Sequence, residues 1–200
     1  LNDLLDSGID FAVAGMDEFA PVTALPGWDA YEERVAALYE PIGKADVALQ
    51  SDRDLFVPEG IAIGTDGSFY LGSIRRGLLV HDDEVISDRQ GHWSVFGMRF
   101  HGDGSLWFAS AAVPQLEGVA EDTGKTGLFR LNVESGEVSK AAILPQFEFE
   151  QVLGDLVIKD ENIYTTDSLT GAVYRYDIGE DTYTAIVGRG ELGSPQGLVL

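Results

Sequence analysis

Three stretches decide how this chain is read: Gly60–Ser73 (GIAIGTDGSFYLGS), Gly97–Ser110 (GMRFHGDGSLWFAS) and Asp155–Ser168 (DLVIKDENIYTTDS). They align without a gap over 14 positions. Each is a short apolar run, a turn rich in Gly, Asp or Asn, and a second run carrying aromatic residues. Short alternating runs bounded by turn residues are the pattern of paired strands. In this alignment Phe69, Leu106 and Tyr164 share one column, Tyr70, Trp107 and Thr165 the next, and all three segments end in Ser. A fourth copy opens at Gly197 (GLVL), so the starts lie 37, 58 and 42 residues apart.

A third apolar run follows each segment, at Gly77–Val80, Gly127–Leu131 and Gly171–Tyr176. Fourth strands are expected at Glu84–Ile86, Glu137–Leu144 and Thr182–Val187. Four antiparallel strands joined by hairpins and repeated at such offsets describe the blades of a β-propeller. A β-sandwich with coincidental similarity is the competing architecture. About three and a half blades fall within 55–200, fewer than the roughly four to eight that close a ring. The expectation is therefore that the native chain continues past Leu200, the alternative being that two partial rings pair.

Residues 1–54 behave differently. Leu1–Asp6 and Trp28–Glu40 have helical spacing, and Trp28, Tyr31, Val35, Leu38 and Tyr39 form one apolar stripe. Gly8, Gly15, Pro21, Pro26 and Gly27 interrupt the chain between them. This stretch reads as a helical extension, either a cap on the propeller or the tail of a helical-repeat domain. In the second case it offers a surface for a protein partner.

With 34 acidic and 13 basic residues the chain carries a net charge of −21. Such a surface repels phosphate backbones and anionic lipid, which argues against nucleic acid and membrane surfaces as partners. It also suits a protein working in high salt. The absence of Cys excludes disulfides, thiolate nucleophiles and Cys-ligated zinc. No apolar run reaches the roughly 20 residues that span a bilayer. The chain begins at Leu1 rather than Met, consistent with a removed leader, and a periplasmic or secreted location is favoured over a cytoplasmic one.

Antiparallel order places certain loops together. If each innermost strand runs away from the mouth, the residues before it (Glu59, Phe96, Gly154 and Gln196) lie at the mouth. So do the connections between second and third strands, at Ile74–Arg76, Ala111–Thr126 and Leu169–Thr170. A central mouth of this kind is the default small-molecule site. The Ala111–Thr126 connection, 16 residues long, is either a lid or a surface insertion. Arg75 and Arg76 are candidates to hold an anionic substrate, or are bridged to the abundant acids. Asp167 is a candidate substrate contact, or with Ser168 a turn cap that binds backbone N–H groups. His81, His92 and His101 assemble no triad with Ser and Asp.

Val57-Pro-Glu-Gly-Ile-Ala-Ile63, Leu153-Gly-Asp-Leu156 with Tyr164-Thr-Thr-Asp-Ser168, and Ser194-Pro-Gln-Gly-Leu198 resemble the SMP-30/gluconolactonase/LRE-like family. The resemblance implies a six-bladed propeller, and Asp17-Glu-Phe-Ala-Pro21 with the following helix resembles the end of a tetratricopeptide-like extension. It implies a divalent metal, usually calcium, held at the mouth by a first-blade Glu, by Asn of Asn-Asp and Asn-Gly motifs, and by a later Asp. Here Glu59 matches the Glu, Gly154-Asp155 stands at the Asn-Asp motif, and Gln196-Gly197 stands at the Asn-Gly motif. The implied activity is hydrolysis of lactones or similar cyclic esters. Glu59 and Gln196 would be metal ligands, Asp155 the catalytic carboxylate, and Arg75, Arg76 and Asp167 substrate contacts. The alternative is a non-catalytic propeller that binds a small molecule or a protein.

Overall fold

The computed structural model describes residues 2–8, 13, 16–41, 43–51, 57–118, 121–145 and 150–199. The chain separates into two compact units, Leu1–Ala48 and Leu49–Leu200. The first holds the helices α1 (Asn2–Asp6), α2 (Ala20–Thr23) and α3 (Trp28–Leu38), with a 3-10 turn at Asp17–Phe19. The apolar stripe of α3 is buried along one part only. Tyr31 is covered by Leu5 and Val13, with Trp28, Val35 and Phe19 packed around them, whereas Leu38 and Tyr39 stay exposed. Arg34 of α3 ties the unit together by bonding Asn2 Oδ1 at 2.7 Å and Asp6.

The second unit holds three four-stranded antiparallel sheets, each a sequential meander. They are β1 (Pro58–Ile63), β2 (Phe69–Ser73), β3 (Leu78–His81) and β4 (Glu84–Asp88); then β5 (Ser94–Phe100), β6 (Leu106–Ala111), β7 (Thr126–Leu131) and β8 (Val138–Ile143); then β9 (Leu153–Lys159), β10 (Asn162–Asp167), β11 (Ala172–Asp177) and β12 (Thr182–Val187). These are the propeller blades expected from the repeat. The fourth copy, from Gly197, forms no strand among the described residues, but the Leu198 N–H donates to Asp155 Oδ2 of β9 at 3.1 Å.

The core sits between blades, which explains why β6 (LWFASA) reads as a continuous apolar run. Successive side chains of a strand point to opposite faces, and both faces of the second blade are covered. Leu106 and Phe108 join Tyr70, Leu79, Met98 and Phe129 between the first two blades. Trp107 and Ala109 join Leu128, Leu156, Ile163 and Tyr176 between the second and third. The first and third blades each pack one face in this way. On β1, Ile61 and Ile63 remain 52% and 61% exposed.

Register corrects one detail of the repeat. Ile63 pairs Phe69 and Phe100 pairs Leu106, each across five residues, but Ile158 pairs Ile163 across four. The first two turns are closed by Asp-Gly-Ser, where Asp66 and Asp103 accept both the N–H and the hydroxyl of Ser68 and Ser105. The third blade lacks that device and turns through Asp160 at φ 52°. Its second strand is therefore displaced by one residue. Ile163, not Tyr164, is the structural partner of Phe69 and Leu106, and Asp167, not Ser168, occupies the place of Ser73 and Ser110.

The inner strands lie side by side at their mouth ends. A methyl group on Gly60 would meet the Phe96 carbonyl oxygen at 2.0 Å, and one on Gly97 would meet the Asp155 Cα at 2.7 Å. Glycine is used here because backbone approaches backbone. Gly60→Ala is expected to destabilise the sheet unit by about 1–3 kcal/mol, as overpacking does elsewhere. Urea denaturation checks this, and an unchanged midpoint would refute the close approach.

Candidate functional site

Of the column before each inner strand, Phe96 and Gly154 meet the neighbouring inner strands, and of the four residues only Phe96 lines a cavity. Gly60 abuts Phe96, Gly97 abuts Gly154 and Asp155, and Gly197 lies near the Asp155 carboxylate. At the mouth end of these strands opens a cavity of about 460 Å³. Its walls come from the approaches to the inner strands (Val57, Phe96 and 150–152) and from all three second-to-third strand connections. Those connections supply Ile74 and Arg75, then Ala112–Gln115 with Thr123 and Gly124, then Ser168 and Leu169.

The described residues of the long connection, 111–118 and 121–126, fold as a strap. Ala111 and Thr126 pair as strand ends, and the ladder continues past them with Ala112 N–H donating to Lys125 O at 2.8 Å and Gly124 N–H to Ala112 O at 3.0 Å. Asp122 holds the strap from below. It accepts from Trp93 Nε1 at 3.0 Å and from Lys125, and these two bonds keep its carboxyl below the usual carboxylate range. Glu117 reaches across to the first blade. Its N–H donates to Arg75 O at 3.1 Å, its Oε1 receives Arg75 Nε at 3.1 Å, and its carbonyl accepts from Arg89. Arg76 lies farther off, with Nε 4.0 Å from Glu117 Oε2. The arginine pair is thus bridged to an acid, and of the two only Arg75 lines the cavity.

Asp167 is fully buried and acts as the keystone of the third blade. Its Oδ1 accepts the N–H groups of Val152, Leu169 and Thr170 at 3.1–3.2 Å. Its Oδ2 accepts the Thr170 hydroxyl at 2.6 Å and Gln151 Nε2 at 3.3 Å. These bonds engage both oxygens, so the place assigned to Asp167 as a substrate contact is taken by a cap. Gln151 also donates to Tyr174 Oη at 3.3 Å. Burial, with Asp167 nearby, raises the Tyr174 pKa above its ordinary value.

The residues implied as a metal set are distributed differently. Glu59 is exposed in β1 and does not line the cavity, and its carboxylate is hydrogen-bonded by none of the described residues. Asp155, 18% exposed, is held by the Leu198 N–H on Oδ2 and faces Arg99 Nη2 at 3.6 Å on Oδ1. Gln196 is exposed and donates to Ser194 Oγ at 2.6 Å. At Gly154, where the resemblance implies Asn, a Cβ would meet Ser168 Oγ at 2.4 Å. A hard cation such as calcium wants six to eight oxygens. One compensated carboxylate, one exposed carboxylate and one bonded amide do not fit it, and no cluster of three acidic or histidine ligands occurs among the described residues.

The three histidines bond to no serine among the described residues. His81 stacks on Tyr70 at 4.4 Å, and His101 lies 3.1 Å from Asp103. His92 is buried between the first two blades. Its Nε2–H donates to Gly77 O at 2.8 Å, its ring sits edge-on to Phe108, and burial pulls its pKa down to about 4. The cavity residues that sequence reasoning missed are Val57, Glu150, Gln151 and Val152. They lie upstream of the repeat, where no turn or strand signal marks them.

No family model matches the chain, and no curated protein sequence matches it. Among solved structures it is similar to the PQQ-bound aldose sugar dehydrogenase of Streptomyces coelicolor, at TM-score 0.51 and 13% identity over 70% of this chain and 52% of that one. It is also similar to the Cps50 (Swd1) β-propeller domain of Myceliophteria thermophila, at TM-score 0.49 and 11% identity over 70% and 45%. A nidogen/laminin complex gives TM-score 0.49 and 18% identity over 69% and 50%. The chain spans about half the length of these proteins. Three sequential antiparallel meanders that share two interblade cores, together with the likeness to the sugar dehydrogenase, establish the fold as a β-propeller.

Proposed function

We propose that this protein binds an apolar small molecule in the mouth cavity of its propeller. The observation that carries the reading is the lining: Val57, Phe96, Val113, Pro114, Val152 and Leu169 face one space of about 460 Å³, with a few polar groups among them. Ligand sites are commonly cavities of that size, mostly apolar, with sparse polar groups that orient the occupant. Leu169 is 57% exposed, so it can be changed without opening a core. N-Phenyl-1-naphthylamine, a neutral apolar fluorophore, is expected to bind, and Leu169→Asp to weaken it about tenfold, as burying a charge beside an apolar ligand does. No binding, or binding that ignores Leu169→Asp, refutes the reading.

Glu59 favours a second reading, hydrolysis of a lactone, because its carboxylate is engaged by none of the described residues. The residues at hand do not fit a cation, so this reading needs donors from outside the described residues. Calcium titration by calorimetry, followed by a lactone panel with Glu59→Gln, separates the two. Hydrolysis that Glu59→Gln abolishes would establish the enzyme. No heat and no hydrolysis leave the binding module.

A further inference from the structure

Three of the nine arginines of this acidic chain, Arg75, Arg76 and Arg89, converge on one carboxylate-bearing residue, Glu117 of the strap. Arg75 and Arg76 face the Glu117 carboxylate and Arg89 its carbonyl, so three guanidinium groups meet at one residue of a chain whose net charge is −21. Of the four residues only Arg75 lines the cavity. Its Nε is taken by Glu117 at 3.1 Å, while its two Nη groups are engaged by none of the described residues. The backbone of Glu117 is clamped at both its N–H and its C=O, so the strap stays in place whether or not the side chain holds Arg75.

We propose that the cavity takes a ligand with an apolar body and a single carboxylate, anchored on the Nη groups of Arg75, with Glu117 as a resident anion competing for the same guanidinium. This rests on the reading of the cavity as an apolar binding site. An arginine fork matches a carboxylate with two parallel bonds. The pair it already makes is weak: Arg75 and Glu117 side chains are 44% and 46% exposed, and exposed pairs contribute little. A carboxylate delivered by an apolar tail meets Arg75 from the cavity side, and a tail seated against the lining would shield the new bond from solvent and strengthen it. Glu150 is the other charged residue of the lining. It would select for a cation instead, and that is the competing outcome.

The experiment compares octanoate, octanamide and octylammonium as displacers of N-phenyl-1-naphthylamine from the intact protein. Octanoate is expected to bind about tenfold more tightly than octanamide, the size of one charge-assisted bond. In Arg75→Gln octanoate loses its advantage and that ratio falls to about one. In Glu117→Gln octanoate tightens by about threefold, since the competing anion is gone, and the octanoate-to-octanamide ratio rises. Equal ratios in wild type and Arg75→Gln overturn the anchor, as does octylammonium binding more tightly than octanoate. Weaker octanoate binding in Glu117→Gln overturns the competition. Octanamide displacing the fluorophore while the ratios fail leaves the apolar-site reading standing without its anion. If none of the three displaces it, both fall together.

Discussion

Replacing Asp167 by Ala is expected to lower the stability of the sheet unit by about 3–5 kcal/mol, the scale of breaking a buried hydrogen-bonded network. The carboxylate has no exposure and accepts from three backbone N–H groups, a threonine hydroxyl and the Gln151 amide. Removing it leaves those donors unpaired in a place water does not reach. The loss is larger than the chemistry of a single turn suggests, because Val152 leads into β9 whereas Leu169 and Thr170 lead into β11. One side chain therefore fixes both ends of the blade beside the cavity. Asp167→Asn is the informative companion. It retains one acceptor oxygen but brings an NH₂ against donors, so it should recover only part of the loss. Urea denaturation of both variants checks this, and a change under about 1 kcal/mol for Asp167→Ala would show that the network is dispensable.

Acid should weaken the junction between the first two blades through His92. The ring is buried beside Phe108, and its pKa falls from 6.5 to about 4. The folded state thus resists protonation, and between those values the unfolded chain binds more protons. Stability from this group is fully present above pH 6.5 and is lost as the pH falls towards 4. The shift corresponds to about 3 kcal/mol. Other carboxylates titrate lower in that range, so the measurement is a difference. The stability of the wild type relative to His92→Gln, followed by denaturant midpoint, should decline by about that amount from pH 7 to pH 4. Parallel curves would falsify the neutral buried histidine. Gln is the chosen replacement because it can still donate to Gly77 O and carries no titrating charge.

The sequence by itself determined the blades. Period-two patterning and Asp-Gly-Ser turns mark strands locally, and the repeat of Gly60, Gly97 and Asp155 announces that similar sheets recur and that their inner edges share a direction. The expectation that Glu59, Phe96, Gly154 and Gln196 belong to one end follows from that direction alone, and the close approaches at Gly60 and Gly97 agree with it for Phe96 and Gly154. The continuous apolar run of β6 likewise contained its answer, since only a strand covered on both faces can afford one.

Only the tertiary structure decided the third blade's register and the chemistry of the mouth. An ungapped alignment matches residue types, but a turn one residue shorter costs the pattern little, so Tyr164 and Ser168 took columns that belong to Ile163 and Asp167. Whether a carboxylate faces substrate, caps a turn or neutralises an arginine depends on partners far along the chain. Asp155 meets Leu198 and Arg99, and Glu117 meets Arg75 across 42 residues. Strand pattern is a property of neighbours in sequence, and it is read there. Charge compensation is a property of neighbours in space, and the packing of one blade on the next creates it.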